Sequence, residues 1–206
     1  MHDVVNLDWP LDFARRGTLH NREVALVANG PGPKLAGAAA DLALEKLKVE
    51  ALISTGFCGG LDRALAPCDI FVASEVVGVA PALAPSSLRP FQTGKLLSLD
   101  RVLSTPREKT GLGGDAVEME AAAVAERAKK WNVPFYAVRV VTDAVWETLP
   151  LDFNRMRSAD GRFHRAKIVA AALTRPVTMI PELMKLNSRT KRAAQALGDF
   201  LADARF

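Results

Sequence analysis

Two carboxylates in the middle of the chain, Glu120 and Asp143, could be brought into one cleft by the elements that carry them. Glu118 and Glu120 stand at the start of a helix predicted from about residue 117 to 131. Asp143 follows a buried apolar strand predicted from Phe135 to Thr142. Open α/β sheets bind ligands at the carboxyl ends of their strands, and Glu120 and Asp143 lie at ends of neighbouring elements. The positions of Glu120 and Asp143 therefore favour an enzyme over a binding module.

Each of these acids also has a purely structural interpretation. Glu118 could be a solvated acid favoured by the dipole at the start of a helix, and the same holds for Glu120. Asp143 could simply end its strand. Arg139 lies inside the apolar strand and predicts a buried ion pair, for which Glu75, also inside an apolar strand, is a candidate partner.

Two glycine-containing segments could bring backbone amides close to a ligand. Thr-Gly-Phe-Cys-Gly-Gly at 55–60 follows a strand predicted at 51–55, and Gly-Pro-Gly at 30–32 precedes a predicted helix. Glycine permits sharp turns and close approach of the backbone. Taken alone the signal is weak, because neither segment matches a phosphate-binding loop or the full dinucleotide fingerprint.

In their order and spacing, these segments resemble the nucleoside phosphorylase-I superfamily, in particular the methylthioadenosine/S-adenosylhomocysteine nucleosidases. The resemblance covers roughly residues 20–150. Its most specific part is Glu-Met-Glu at 118–120 followed by Arg-x-x-x-Asp at 139–143. Thr-Gly-Phe-Cys-Gly at 55–59, with Leu-Pro-Leu-Asp-Phe at 149–153, is more similar to the hopanoid-associated nucleosidase branch.

The resemblance implies a role for particular side chains. Glu120 would hydrogen-bond the ribose 2′ and 3′ hydroxyls, and Met119 would pack against the sugar. Asp143 would donate a proton to N7 of the purine, or hydrogen-bond it. Cleavage of an N-glycosidic bond builds positive charge on the ribose and negative charge on the base, which acids at these two places would stabilise. The other substrate-binding positions implied are Glu118, Phe57, Cys58, Gly59 and, as a wall for the base, Phe135.

Two features depart from the family that the chain resembles. Phosphorolytic members hold phosphate with an arginine and a serine around the first glycine turn, and these positions look like Ser54 and Phe57 here, which favours hydrolysis. Family members also begin with a strand and a loop whose glutamate activates water. Residues 1–13 offer no convincing equivalent, so we expect a truncated or misassigned start, or a chain without that base.

The order of predicted elements indicates an α/β fold of three layers, with a mixed, mostly parallel central sheet flanked by helices. Strands are predicted at 23–28, 51–55, 69–77, 94–99 and 135–142, and helices at 34–47 and 117–131. The strand at 23–28 is nearly continuously apolar, which is typical of a strand covered on both faces. With the following helix and the strand at 51–55 it predicts a parallel, right-handed crossover.

The remaining segments are predicted with less regularity. Residues 78–94 contain several prolines and little periodicity, which predicts an irregular loop or a lid. From Ser158 onward the chain is predicted to be helical, with Pro176 and Pro181 starting new segments and Ser188 as a cap. We expect one domain over residues 1–206 with a helical C-terminal segment at 158–206.

Composition excludes several classes of protein. The chain has 206 residues, 49% of them hydrophobic and 24% charged, as in a soluble globular protein. No apolar run approaches the roughly 20 residues that span a bilayer, so no integral membrane association is expected. The net charge of +4 is spread along the chain without a recognition motif, which argues against nucleic acid. Two cysteines and three scattered histidines indicate a reducing cytoplasm and no metal site.

The resemblance therefore implies a purine nucleosidase that releases adenine from a 5′-substituted adenosine, either methylthioadenosine/S-adenosylhomocysteine-like or adenosylhopane-like. The apolar segment at 79–85 suggests a large apolar 5′ group. The alternatives are a phosphate-dependent nucleoside phosphorylase and a catalytically impaired nucleoside-binding relative. The resemblance implies no metal or organic cofactor. It also implies a homodimer or larger homo-oligomer, because relatives complete the pocket with a neighbour's side chain.

Overall fold

The computed structural model of the protein describes residues 1–158, 160–164 and 176–206. In chain order, its strands are β1 (His2–Asn6), β2 (Phe13–Leu19), β3 (Arg22–Ala28), β4 (Leu52–Gly60), β5 (Ile70–Val76), β6 (Ala80–Pro81), β7 (Gln92–Ser98), β8 (Ala116–Glu118) and β9 (Phe135–Asp143). Its helices are α1 (Pro33–Lys46), α2 (Pro106–Lys109), α3 (Ala121–Trp131) and α4 (Pro176–Asp203), with a 3-10 turn at Phe153–Met156.

The main sheet is mixed and has the strand order β6-β5-β7-β8-β4-β9. The ladders β4–β9, β5–β7 and β7–β8 are parallel, whereas β4–β8, β5–β6 and β5–β9 are antiparallel. Because β5 also pairs with β9, the sheet closes on itself instead of remaining open. The β4–β9 register runs from Leu52 opposite Phe135 to Gly59 opposite Asp143, so the glycine segment and the strand-ending acid lie side by side.

Helices cover the main sheet on both faces, which confirms the predicted α/β class. Side chains alternate between the two faces along a strand. Ala137 and Val141 of β9 join a core cluster with alanines of α3, whereas Val138 and Val140 join a second cluster with Leu197 and Phe200 of α4. At β9 the sheet therefore lies between α3 and α4.

A separate antiparallel sheet, β1-β2-β3, is formed by the first 28 residues. The prediction that β3 is covered on both faces and runs parallel to β4 was wrong. His20 and Asn21 both have positive φ, at 52° and 61°, and form a two-residue hairpin that pairs β3 with β2. The residues of β3 are exposed or half-buried. The main sheet consequently forms without any strand from this part of the chain.

Two predicted boundaries near the acids shift in the structure. Residues 55–60 do not form a turn after a strand, because β4 continues through them to Gly60. The helix predicted from residue 117 begins at Ala121, since Ala116–Glu118 forms the short strand β8. Glu118 therefore ends a strand, and Glu120 is the residue that precedes the first turn of α3.

The proline-rich segment at 78–94 is not a lid over the acids. Ala80–Pro81 forms β6 against β5, and Leu83 bridges to Tyr136 near the start of β9. Asp143 lies at the other end of that strand. At about 3.3 Å per residue, the two ends of β9 are about 26 Å apart.

The C-terminal helix starts later than predicted and is continuous. Ser158 and residues 160–164 form a turn closed by an Arg157–Phe163 bridge, and α4 begins at Pro176. Pro181 lies inside α4 and removes one backbone hydrogen bond without ending the helix. Ser188 is an interior residue of α4, so its prediction as a cap was wrong. The rest of the helical prediction, at 165–175, lies outside the described residues. Across the part of the chain that is described, no helix is both long and apolar enough to cross a membrane.

Candidate active site

A cavity of about 630 Å³ opens where β4, β8 and β9 end. This volume is in the range of small-molecule sites. Its lining residues come from the glycine segment of β4, the end of β8, the start of α3, the end of β9, two loops and α4. The structure brings seven of the eight sequence-predicted residues to this cavity: Phe57, Cys58, Gly59, Glu118, Met119, Glu120 and Asp143.

Phe135 is the exception, and the prediction that it forms a wall for the base was wrong. Phe135 begins β9, at the end of the strand opposite to Asp143. Its side chain is buried in the core cluster on the α3 side of the sheet. The periodicity that identified the strand could not tell which of its two ends carries the site.

Glu118 is a buried anchor for the start of α3. The Arg139 guanidinium donates to Glu118 Oε2 at 2.6 Å and to Ser54 Oγ at 2.7 Å, with both charged side chains 1% exposed. The Glu118 carboxylate also accepts from the backbone amides of Glu120 and Ala121. Burial by itself raises the pKa of Glu118, but the Arg139 charge and these hydrogen bonds outweigh it and hold the pKa below its usual value.

This ion pair corrects two interpretations made from the sequence. Glu118 is not a solvated first-turn acid, because its carboxylate is buried against Arg139. Glu75 is not the partner of Arg139; it forms a half-exposed ion pair with Lys95 at 3.2 Å. The distance between Glu118 and Arg139 along the sequence follows no helical or strand period, so their ion pair could not be predicted from it. The two side chains meet because β8 and β9 belong to one sheet.

Glu120 presents its carboxylate to the cavity from the residue that precedes α3. The Gly32 amide donates to Glu120 Oε1 at 2.7 Å, which connects the Gly-Pro-Gly segment to the site. Burial raises the pKa of Glu120, and the nearby negative charge of Glu118 raises it further. With one oxygen bonded to Gly32, the carboxylate keeps acceptor positions for hydroxyl donors.

Asp143 is held by two neighbours and is almost fully buried. Lys109 Nζ donates to Asp143 Oδ2 at 2.6 Å, and Thr142 Oγ1 donates to Oδ1 at 2.7 Å. A Cβ atom at Gly59 would lie 3.0 Å from Asp143 Oδ2. This close approach explains the glycine at position 59.

Lys109 is a site residue that sequence reasoning missed. It ends the short helix α2, which begins with a capping box in which Thr105 and Glu108 bond each other's backbone amides. The Thr-Pro-Arg-Glu pattern could have revealed the helix start. A lysine in a polar stretch gives no sign of burial, however, and the Lys109 side chain is 0% exposed.

The apolar wall of the cavity was also missed, because its residues are far apart in the sequence. Phe153 and Phe163 pack edge to face with ring centroids 6.2 Å apart. Val102, Leu103, Leu149 and Leu186 are further apolar residues that line the cavity. No residue of the apolar segment at 79–85 lines this cavity, so that segment gives no support for a large 5′ group.

Cys58 lines the cavity as a small apolar residue. Burial raises the pKa of its thiol far above the usual range, and the charges of Asp143 and Glu118 raise it further. The thiolate that a nucleophilic cysteine requires is therefore disfavoured. Within the described residues, no cluster of histidine, cysteine or carboxylate side chains could hold a metal ion.

A family model described as "Phosphorylase superfamily" matches residues 11–84 and 79–175. Among curated proteins, the 5′-methylthioadenosine/S-adenosylhomocysteine nucleosidase of Bacillus cytotoxicus is 27% identical over 68% of this chain and 76% of its own length. The enzyme of the same name from Glaesserella parasuis is 28% identical over 67% of this chain and 75% of its own length. The resemblance inferred from the sequence is thereby confirmed.

Solved structures show the same fold. The Neisseria meningitidis 5′-methylthioadenosine/S-adenosylhomocysteine nucleosidase in complex with methylthio-immucillin-A has a TM-score of 0.62 at 22% identity, over 75% of this chain and 83% of that one. A futalosine hydrolase mutant of Helicobacter pylori has a TM-score of 0.59 at 19% identity, over 75% and 82%. Both confirm the sheet flanked by helices.

Proposed function

Because the chain belongs to the phosphorylase superfamily, we propose that it is a single-domain purine nucleosidase. It hydrolyses the N-glycosidic bond of a 5′-substituted adenosine and releases adenine. The observation that carries this proposal is that Glu120 and Asp143 face the same cavity of about 630 Å³. The curated relatives, which are nucleosidases by name, support the same class of reaction.

The two acids match the two charges that develop in this reaction. As the bond between C1′ and the purine nitrogen breaks, its electron pair moves to the base and the ribose becomes positive. Glu120 hydrogen-bonds the ribose hydroxyls and stabilises the sugar cation. Asp143 donates a proton to N7 of the leaving base, or hydrogen-bonds it. The oxygen of water bonds to C1′, and the proton that the water loses balances the one that the base takes up. A positioned acid or base of this kind contributes about 10²–10⁴-fold to the rate.

Met119 packs against the sugar, and Phe57, Cys58 and Gly59 line the side of the cavity next to Asp143. The aromatic pair Phe153 and Phe163, with the aliphatic residues beside it, forms the pocket for the 5′ substituent. An apolar wall favours a methylthio group or a lipid-linked chain such as adenosylhopane over a charged one.

Hydrolysis is favoured over phosphorolysis by the residues near the glycine segment. Ser54 is buried and accepts from Arg139, and Phe57 offers no hydroxyl. Among the described residues that line the cavity, Arg101 is the basic one, and it already pairs with Glu108 at 3.4 Å. Because of these contacts, few basic or hydroxyl side chains remain that could hold a phosphate ion.

One observation favours a second candidate, a nucleoside-binding protein with impaired turnover. The described carboxylates that line the cavity are Glu118, Glu120 and Asp143, of which Glu118 is bound to Arg139 and Asp143 to Lys109. A further carboxylate that could activate water is not among them.

Chromatography of the reaction products tests the proposal. Purified protein is incubated with 5′-methylthioadenosine and with S-adenosylhomocysteine, with and without phosphate. We expect free adenine in phosphate-free buffer from the wild type and from Glu126→Gln, an exposed acid of α3, but not from Glu120→Gln. Turnover only with phosphate would identify a phosphorylase. Tight binding of 5′-methylthioadenosine without any release of adenine would support the second candidate.

The proposal includes a cytoplasmic homo-oligomer. Both cysteines are free, as a reducing compartment requires. Helix α4 exposes Val177, Ile180 and Met184 in the part of the chain that is described, which suits a subunit contact. Light scattering after size-exclusion chromatography measures the mass, and a monomer of 22.2 kDa at micromolar concentration would exclude the oligomer.

A further inference from the structure

The Gly-Pro-Gly segment at 30–32 carries an arginine side chain on its backbone. Gly30 and Gly32 both have positive φ, at 107° and 93°, a conformation that glycine adopts at little cost. A Cβ atom at Gly32 would lie within 3.0 Å of Arg157 Nη2, closer than a Cβ atom normally comes to any neighbour. The absence of a side chain at Gly32 therefore lets the Arg157 guanidinium lie directly against the backbone.

Arg157 is fixed in this place by contacts of its other two nitrogens. Its Nη1 atom pairs with Asp100 Oδ1 at 2.6 Å and donates to the Asp100 carbonyl at 3.1 Å. Its Nε atom donates to the Gly161 carbonyl at 3.0 Å. Because the guanidinium is planar and rigid, these bonds also set the position of Nη2. Arg157 thus connects Asp100, which follows β7, and the turn around Gly161 to the backbone of Gly32.

Gly32 in turn holds the carboxylate of Glu120. Its amide donates to Glu120 Oε1 at 2.7 Å, and since Gly32 precedes the first turn of α1 it lies at the positive end of the helix dipole. Pro31 and Pro33 have no amide hydrogen, so neither neighbour can replace this bond if Gly32 moves. The orientation of Glu120 therefore depends on the position of one glycine.

Glycine has more backbone freedom than any other residue, so Gly32 needs contacts that keep it in place. The first hydrogen bond of α1, from the Ala36 amide to the Gly32 carbonyl at 3.1 Å, fixes one side of this residue. On the other side, Arg157 fills the space beside the Gly32 Cα atom. Without the guanidinium, that space would allow the Gly32 amide to turn away from Glu120.

We propose that Arg157 is a positioning residue that locks the Gly-Pro-Gly segment and thereby aims the Glu120 carboxylate at the ribose. This inference rests on the proposed function, in which Glu120 binds the ribose hydroxyls. Arg157 is not among the described residues that line the cavity, so it acts through Gly32 and not by touching the substrate.

The first test compares two sugars. Release of adenine from 5′-methylthioadenosine and from its 2′-deoxy analogue is measured for the wild type, Arg157→Met and Arg155→Met, the matched control at a nearby arginine that is 85% exposed. We expect the wild type and Arg155→Met to show the same ratio of kcat/KM for the two substrates. In Arg157→Met this ratio falls by about tenfold against the ribose substrate, the lower end of the value of a hydrogen bond to a charged group.

The ratio separates positioning from stability. A loss of stability alone would lower both rates together and leave the ratio unchanged. A folded Arg157→Met with the ratio of the wild type would therefore overturn the proposal, even if its overall rate fell. If Arg157→Met does not fold, Asp100→Asn replaces it, because the Asp100 side chain is 61% exposed and its substitution leaves the fold intact. We expect the ratio to fall by about two- to fivefold, on the scale of a partly exposed ion pair, and an unchanged ratio would overturn the proposal.

The second test does not depend on turnover. Hydrogen exchange of the Gly32 amide, which stands alone between two prolines, is followed by NMR. We expect exchange about tenfold faster in Arg157→Met than in the wild type or Arg155→Met, because the segment opens more often. Equal exchange in all three proteins would overturn the proposal. Failure of the proposed function looks different: the wild type then releases no adenine from either nucleoside, while the exchange rate still reports whether Arg157 holds Gly32.

Discussion

Removal of Arg139 should be among the most destabilising single changes in this protein. In Arg139→Met, the Glu118 carboxylate loses its counter-ion at 2.6 Å while both side chains are 1% exposed. Breaking a buried pair from one side costs about 3–5 kcal/mol, because a buried charge remains without compensation. Typical domains have about 5–15 kcal/mol of unfolding free energy, so we expect a large fraction of the stability to be lost.

A second substitution separates the unpaired charge from the lost packing. Arg139→Met/Glu118→Gln removes both charges but leaves an amide oxygen that can accept from the backbone amides of Glu120 and Ala121. We expect the double variant to recover more than half of the loss. The loss in Arg139→Met should also shrink as pH falls, because an unpaired Glu118 can be neutralised by a proton.

Urea unfolding at pH 7 and pH 5 measures these free energies. Arg155→Met is the matched control, because Arg155 pairs with Asp152 at 3.2 Å but is 85% exposed, and exposed pairs contribute about 0–1 kcal/mol. A loss below about 1 kcal/mol in Arg139→Met would refute the reasoning, since it is far below the range for a broken buried pair. A double variant as unstable as the single one would refute it as well. In both variants we expect slower adenine release, because Glu118 anchors the residue that presents Glu120.

Three further predictions concern the cavity itself. The pKa of Glu120 in the folded protein is raised above its usual value of 4.5. Protonation of Glu120 therefore stabilises the fold, and this contribution to stability is lost as the pH rises through the folded pKa. Glu120→Gln should therefore raise the melting temperature more at pH 8 than at pH 4.5 while abolishing turnover, and an equal change at both pH values would contradict this. Asp143→Asn should lower kcat by about 10²–10⁴-fold, which a kinetic assay measures. It should also destabilise the protein by about 3–5 kcal/mol in urea unfolding, because the buried Lys109 loses its partner. A variant with the kcat of the wild type would be incompatible with the proposed role of Asp143. Phe153→Ala should raise KM for 5′-methylthioadenosine by about tenfold, because the methylthio group loses apolar contacts. KM for adenosine, which lacks that group, should remain nearly unchanged. Equal effects on both substrates would place the 5′ group elsewhere.

Local patterns in the sequence were enough to predict most strands of the main sheet, and the family resemblance pointed to seven of the residues that line its cavity. The apolar runs before Asp143 and in β5 predicted buried strands, since side-chain periodicity is a property of the strand itself. The Glu-Met-Glu and Arg-x-x-x-Asp segments carried the resemblance to the superfamily. The same patterns gave no information on which strands are neighbours, and β3 pairs with β2 because of the hairpin at His20 and Asn21.

Only the tertiary structure decided the partners of the buried charges. Arg139 pairs with Glu118, 21 residues away, and Lys109 pairs with Asp143, 34 residues away. Burial and pairing depend on distances between elements that the sheet brings together, and no periodicity along the chain encodes them. The acids at positions 120 and 143 are therefore visible in the sequence alone, whereas the cavity that they share follows from how the strands pack.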